Sequence, residues 1–391
     1  MRLKYSQLAN IILYVTMALF LIDIGNAKYI CAYLAIALLI VLNYYRNERV
    51  VFKNFRYECK WLLLILAAFV FVTVIKQIIS GFNSYFINEI VYYITPLLFM
   101  VAFLQLQDSQ SIFSTINGLF VVFMIAFVVK AAPDFTLESI RSISFANTYS
   151  PFEGTGLAFV FVLFVFYYYY RKNLPMELVS LFMVFLTMKR MAFVASIVVV
   201  VLSVLTYTLH TSTMTVKRWM VVVACVVFIA LPVITGYLLN DAFAYWFLSK
   251  TGLNLNTFVM GRFFRLNEVT DNNAGRLGWG STTTYLTKYL GDYYLSDKNY
   301  NLHNDVYKIY LETGIVGTMV FTIGMFKSCQ RNYMSFLMVF YLFLELFVNH
   351  QMGAGSFTYW ITLYSLLFCF NVQSREKIYQ MNPLVNTNNN Y

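Results

Sequence analysis

The chain has 391 residues, of which 60% are hydrophobic, 19% aromatic and only 12% charged. Soluble chains carry about a quarter charged residues and at most about half apolar ones, so soluble, disordered, coiled-coil and collagen classes are excluded and a many-span integral membrane protein remains. The formal charge of +10, from 28 Lys and Arg against 18 Asp and Glu, fits cytoplasmic loops beside an anionic leaflet rather than nucleic acid.

A membrane-crossing helix needs about 20 mostly apolar residues. Such runs cover 8–24, 28–44, 61–79, 87–105, 112–131, 153–170, 176–188, 191–209, 219–240, 305–326, 333–349 and 358–371. The expectation is an all-α integral membrane protein of about twelve transmembrane helices with one large extracytoplasmic loop. Arg2 and Lys4 ahead of the first run resemble a signal peptide, but the second run follows at once, which favours an uncleaved anchor. The runs are continuous rather than alternating, which excludes a β-barrel pattern.

Positive charge sets orientation. With the N-terminus inside, the inner segments hold about twice as many Lys and Arg as the outer ones, the long segment 241–304 set aside. Both termini are then cytoplasmic. The organisation reads as spans over 1–240, a large outer loop over 241–304, further spans over 305–371 and a cytoplasmic tail over 372–391. The loop is rich in Trp, Tyr and Phe, which points to short helices on the outer face of the membrane rather than disorder. The five cysteines form no CxxC pair; Cys59 falls in a basic loop and the others in or beside spans.

Several chemistries lack their motifs. There is no GxxxxGK phosphate loop, no D-x-D pair and no G-x-S-x-G elbow. His210, His303 and His350 are far apart in sequence, so no metal site and no other cofactor is indicated.

What stands out is cationic. Lys189 and Arg190 lie between two apolar runs with almost no loop, where a basic pair meets an anion, a watery cavity or the lipid headgroups. The run VMGRFFRLNEVTDNNAGRLGWGSTTTYL carries Arg262, Arg265 and Arg276 among four glycines. Arginine forks suit phosphate oxygens and glycines let backbone approach a ligand, although a solvated turn has the same composition. In NLHNDVYKIYLETGIVGTMVF, His303 precedes a helix that Asn304 or Asp305 can cap. Asp305, Lys308 and Glu312 share one face of that helix, directed into the bundle, and Gly314, Gly317 and Gly324 permit close helix packing.

In order, K-R between short-linked spans, G-R-F opening a large outer loop, G-W-G, then L-H-N-D followed by E-T-G-I-V-G resembles the O-antigen polymerase and O-antigen ligase superfamily over about residues 135–325. The resemblance implies a helical bundle of the lipid-sugar glycosyltransferase (GT-C-like) kind that transfers glycan from undecaprenyl diphosphate without a metal. It implies Arg190 and Arg262 as ligands of the leaving diphosphate, with Lys189 departing from the family's serine, and His303 as general base. Arg265, Arg276 and Asn304 join as substrate contacts. So does Arg141, ahead of Asn147 and Pro151 in a stretch that lacks the family's glycine. Trp279, Tyr285 and Tyr300 fit either sugar stacking or the interfacial aromatic belt.

The resemblance implies an inner-membrane polymerase of an O-antigen or capsule, with its site facing the periplasm. Its partners would be a lipid-linked oligosaccharide, the bilayer, a chain-length regulator and the flippase of the same pathway. A ligase or a protein O-oligosaccharyltransferase would share the donor and the motifs. A flippase or transporter would have as many spans, with paired Gly- or Pro-broken helices and mid-membrane charges.

Overall fold

The computed structural model describes residues 4–46, 52–107, 111–143, 150–152, 157–187, 189–208, 216–255, 262–290, 302–329, 332–353 and 356–381. Each of the apolar runs read from the sequence lies on a helix. These are α1 (Tyr5–Ile22), α2 (Ala27–Arg46), α3 (Phe52–Ser80), α4 (Tyr85–Leu104) and α5 (Ser111–Ala131), then α7 (Ala158–Tyr170), α8 (Leu174–Thr187), α9 (Arg190–Thr208) and α10 (Arg218–Leu238). The last three are α14 (Asp305–Cys329), α15 (Tyr333–Val348) and α16 (Phe357–Met381). Shorter helices fill the connections: α6 (Leu137–Arg141), α11 (Asp241–Thr251), α12 (Arg262–Asp271) and α13 (Ser281–Tyr285). Among the described residues, seven helices (α1–α5, α10 and α14) are long and apolar enough to cross a membrane, and the protein is an all-α, multi-pass membrane protein.

Large apolar side chains such as Ile30, Leu34, Phe71, Ile78, Ile125, Val198 and Val226 are exposed on the outer helices. In water such a surface is a liability; against lipid tails it is the expected coat. The interior is held by aromatic contacts, which gives the high Phe and Tyr content a structural role. Phe120 meets Phe164 edge-on at 5.0 Å, and Phe228 packs on Phe343 at 4.9 Å. The helix α14 lies among α3, α10 and α15, and α16 packs against α4, α5 and α7.

Two expectations change. Cys59 is buried within α3, whose helix already begins at Phe52, rather than in a loop. The run 305–326 is not one straight span. Gly314 takes φ 68° and ψ −174°, a left-handed backbone that breaks α14 just below its polar first turns. Of the three glycines expected to pack helices, Gly324 does so, since a Cβ there would fall 2.8 Å from Ile65 on α3. Gly317 instead makes room for Thr313 one turn before it, 2.1 Å from the site of a Cβ.

Candidate functional site

The segment that follows α12 does not lie on the surface. Its G-W-G turn enters the bundle, with the Trp279 N–H donating to Thr73 Oγ1 at 3.0 Å and the Trp279 ring, 2% exposed, meeting Phe69, Phe86 and Tyr93 edge-on. This corrects both readings of Trp279, as a sugar platform and as an interfacial anchor. The glycines serve the same plug. A Cβ on Gly275 would lie 2.3 Å from the Leu311 carbonyl oxygen, and one on Gly278 2.7 Å from Thr73. The close approach they permit is to the chain's own helices, not to a ligand.

Buried charge fastens the plug. The Lys308 ammonium donates to Glu89 Oε1 at 2.6 Å, with the two side chains 4% and 3% exposed. Thr283 donates to the same oxygen at 3.2 Å, and Glu312 accepts from the Thr282 N–H at 2.9 Å. Lys76 reaches across from α3 to the Gly275 and Leu311 carbonyls, both at 3.1 Å. The stripe Lys308–Glu312 thus points into the bundle as the spacing indicated, and its partners are structural.

Above this plug lies the polar site. On α12, half-buried Arg262 and Arg265 stand one turn apart, and buried Leu266 and Val269 continue the same face of the helix. Burial and the charge of Arg265 pull the Arg262 guanidinium below its ordinary range, with Glu345 opposing, yet an arginine keeps its proton. Asn304 accepts from the Tyr307 N–H at 2.9 Å and is the cap of α14. His303, just ahead, holds a left-handed φ of 53°. Its imidazole is pushed down to about 4, chiefly by burial, then by Arg262, His350 and Arg265, with Asp305 opposing. The groups that act on His303 thus come from three stretches of sequence: α12, the start of α14 and the turn after α15.

Asp305, fully buried, accepts from His350 Nδ1 at 2.7 Å, and its second oxygen accepts from the Gln351 and Met352 N–H groups at 2.5 and 2.9 Å. Beneath it, Glu345 on α15 is fully buried; Asn349 donates to its Oε2 at 2.8 Å. Tyr341, one turn before it on the same helix, faces Glu345, and the Tyr359 hydroxyl has no hydrogen-bond partner among the described residues. The cations that act on Glu345 are Lys189 and Arg262.

The residues named from the sequence therefore divide. Arg262, Arg265, His303, Asn304 and half-buried Lys189 gather at one end of the bundle. Arg190 is exposed at the start of α9, Arg276 is exposed beside the plug, and Arg141 is exposed at the end of α6. Tyr285 donates to Glu268 at 2.9 Å within the loop. Gly261, Asn147 and Tyr300 lie outside the described residues. The sequence reading missed His350, Glu345 and Glu89. Each sits at or within an apolar run far along the chain from the motifs, with no local pattern to mark it. Among the described residues no three His, Cys, Asp or Glu side chains gather as metal ligands.

Fold and site together define a multi-pass, all-α membrane protein with a cationic, imidazole-bearing site at one end of its bundle. No protein-family model matches the chain, and no curated protein or solved structure matches it either.

Proposed function

We propose that the chain polymerises a bacterial surface polysaccharide, an O-antigen or capsule, by transferring the growing glycan from undecaprenyl diphosphate onto a lipid-linked repeat unit. In this reading all twelve apolar helices span the inner membrane as a GT-C-like bundle and the site faces the periplasm. The supporting observation is that Arg262, Arg265, Asp305 and His350 all act on His303, while Arg262 also acts with Lys189 on the buried Glu345; the motifs had named Arg262, Arg265, His303 and Lys189 separately.

The chemistry follows from the residue types. A hydroxyl of the acceptor sugar attacks the anomeric carbon, the bond from that carbon to the phosphate oxygen breaks, and the lipid diphosphate leaves with the electron pair. Arginine forks match the oxygens of that diphosphate, and charge developing on it is stabilised by cations held in a site of low dielectric. The acceptor's proton goes to an imidazole, for which the motifs pointed to His303. Arg262 carries the diphosphate role together with the adjacent pair of half-buried Lys189 and exposed Arg190.

A transporter is the second reading, favoured by the break at Gly314 beside a buried Lys308–Glu89 pair. Deletion of the gene in its native host separates the readings. Loss of a polymerase leaves surface glycan with a single repeat. Loss of a ligase leaves carrier-linked polymer and none attached, and loss of a flippase traps repeat units inside. Either of the latter two phenotypes overturns the proposal.

A further inference from the structure

We infer that His350, oriented by Asp305, is the group that takes the acceptor's proton, and that His303 is a neutral contact to the substrate. The inference rests on the transfer reaction proposed above and names its base.

Asp305 sets the tautomer of the His350 ring. A carboxylate only accepts hydrogen bonds. Its Oδ2 is held by two consecutive backbone N–H groups, those of Gln351 and Met352, which leaves Oδ1 for His350 Nδ1 at 2.7 Å. The proton of the neutral ring therefore sits on Nδ1, and Nε2 carries the lone pair. The turn that bears the ring is gripped from its other side as well, because Trp360 Nε1 donates to the Gln351 carbonyl at 2.8 Å. Ring tautomer and ring position are thus both fixed by groups that are themselves buried. This is the relation of carboxylate to imidazole that general-base sites use, with the carboxylate stabilising the imidazolium that forms.

Nε2 has no hydrogen-bond partner among the described residues, and Gly353 lies against it: a Cβ there would fall 2.3 Å from the nitrogen, so a larger residue at 353 would displace the ring. The His350 side chain is 15% exposed, within reach of a ligand. Asp305 and His303 act with it directly, Lys308 on α14 acts on Asp305, and Arg262 and Arg265 on α12 act on His303. In the proposed reaction those arginines serve the leaving diphosphate.

His303 has no such carboxylate on its ring: among the described residues it makes no side-chain hydrogen bond, and burial among positive neighbours keeps it neutral down to about 4. A neutral imidazole of that kind donates and accepts hydrogen bonds to a sugar but accepts a proton weakly. In the step itself, the hydroxyl proton passes to His350 Nε2 as its oxygen bonds to the anomeric carbon and the diphosphate departs. The imidazolium then releases the proton to solvent.

The test uses the full chain in lipid nanodiscs with an undecaprenyl diphosphate-linked repeat unit. His350→Gln is expected to lower kcat by about 10²–10⁴ and to remove the acid limb of the pH–rate profile. His350→Ala should regain activity when free imidazole is added, a rescue that a merely structural role would not give. His303→Gln should act through KM and keep the acid limb. Asp305 is a positioning residue, so Asp305→Asn should lower kcat with the His350 proton moved to Nε2, as read by nitrogen NMR of labelled histidine. The unmodified protein should show that proton on Nδ1. Retained kcat in His350→Gln, loss of the acid limb in His303→Gln, or an Nε2 proton in the unmodified protein would each overturn the assignment of the base alone. Failure of the unmodified protein to elongate any lipid-linked repeat would instead remove the transfer reading, and the assignment with it.

Discussion

Removing Lys308 should destabilise the protein more than removing its partner Glu89, and removing both should cost less than the two losses added. At 2.6 Å and an effective dielectric of about 20, two unit charges attract by about 6 kcal/mol. Desolvation takes back several kcal/mol per ion, and loss of one partner from a buried pair costs about 3–5 kcal/mol because the other charge is left behind. The surroundings rank the two cases. Glu89→Gln leaves Lys308 with the nearby Glu312 carboxylate and keeps an oxygen for Thr283, so its cost falls at the lower end, about 3 kcal/mol. Lys308→Met leaves two carboxylates, Glu89 and Glu312, buried without their cation, so its cost falls at the upper end, about 5 kcal/mol. Combining the two changes removes one of those carboxylates as well as the cation, which makes the double variant milder than the sum. Reversible unfolding by SDS in mixed micelles measures all three. A loss below about 1 kcal/mol for Lys308→Met, the size of an exposed pair, would refute the reasoning, and so would a larger loss for Glu89→Gln.

Gly275→Ala and Gly278→Ala should each cost about 1–3 kcal/mol, because the added carbon meets the Leu311 carbonyl or Thr73 and, at Gly278, a φ of 87°; unchanged thermal stability in both would contradict the packed plug. His303 is held at about 4 against an ordinary 6.5, so the unfolded chain binds its proton first and stability is lost as pH falls from 6.5 toward 4, with no contribution above 6.5. His303→Leu should flatten that part of the acid loss in an unfolding midpoint followed against pH; an unchanged slope would show that burial does not act on this ring. Lys189→Ala should reduce polymer length in cells more than Arg190→Ala does, because Lys189 acts with Arg262 on Glu345; the reverse ranking in a gel ladder would make Arg190 the stronger ligand of the pair.

Much of the bundle was legible because a lipid-facing helix leaves a continuous apolar run, and each such run is a helix here. The break at Gly314 was not, since a glycine inside an apolar run serves packing as readily as a kink; only the backbone angles separate the two. The G-W-G turn misled for a related reason. Glycines beside an aromatic residue describe a loop that approaches something closely, and here that is Thr73, Tyr85 and Leu311 of the same chain. At the site, Asn304 as a cap and the inward stripe at Asp305, Lys308 and Glu312 followed from helical spacing. His350 did not, because its pairing with Asp305 joins residues 45 positions apart and depends on how two helix ends meet. Glu345 and Glu89, buried in apolar runs, carry meaning only through the cations that face them.

The central claim, that this site transfers glycan from a lipid diphosphate, is tested most directly by elongation with purified protein. Incubated in nanodiscs with undecaprenyl diphosphate-linked repeat units from the native host, the protein should form a ladder of lipid-linked oligomers and release undecaprenyl diphosphate in equal amount. Arg262→Ala should abolish both, and Arg262→Lys, which keeps charge but not the bidentate fork, should restore part. Absence of both ladder and released carrier from the unmodified protein, or an undiminished ladder from Arg262→Ala, would contradict the account.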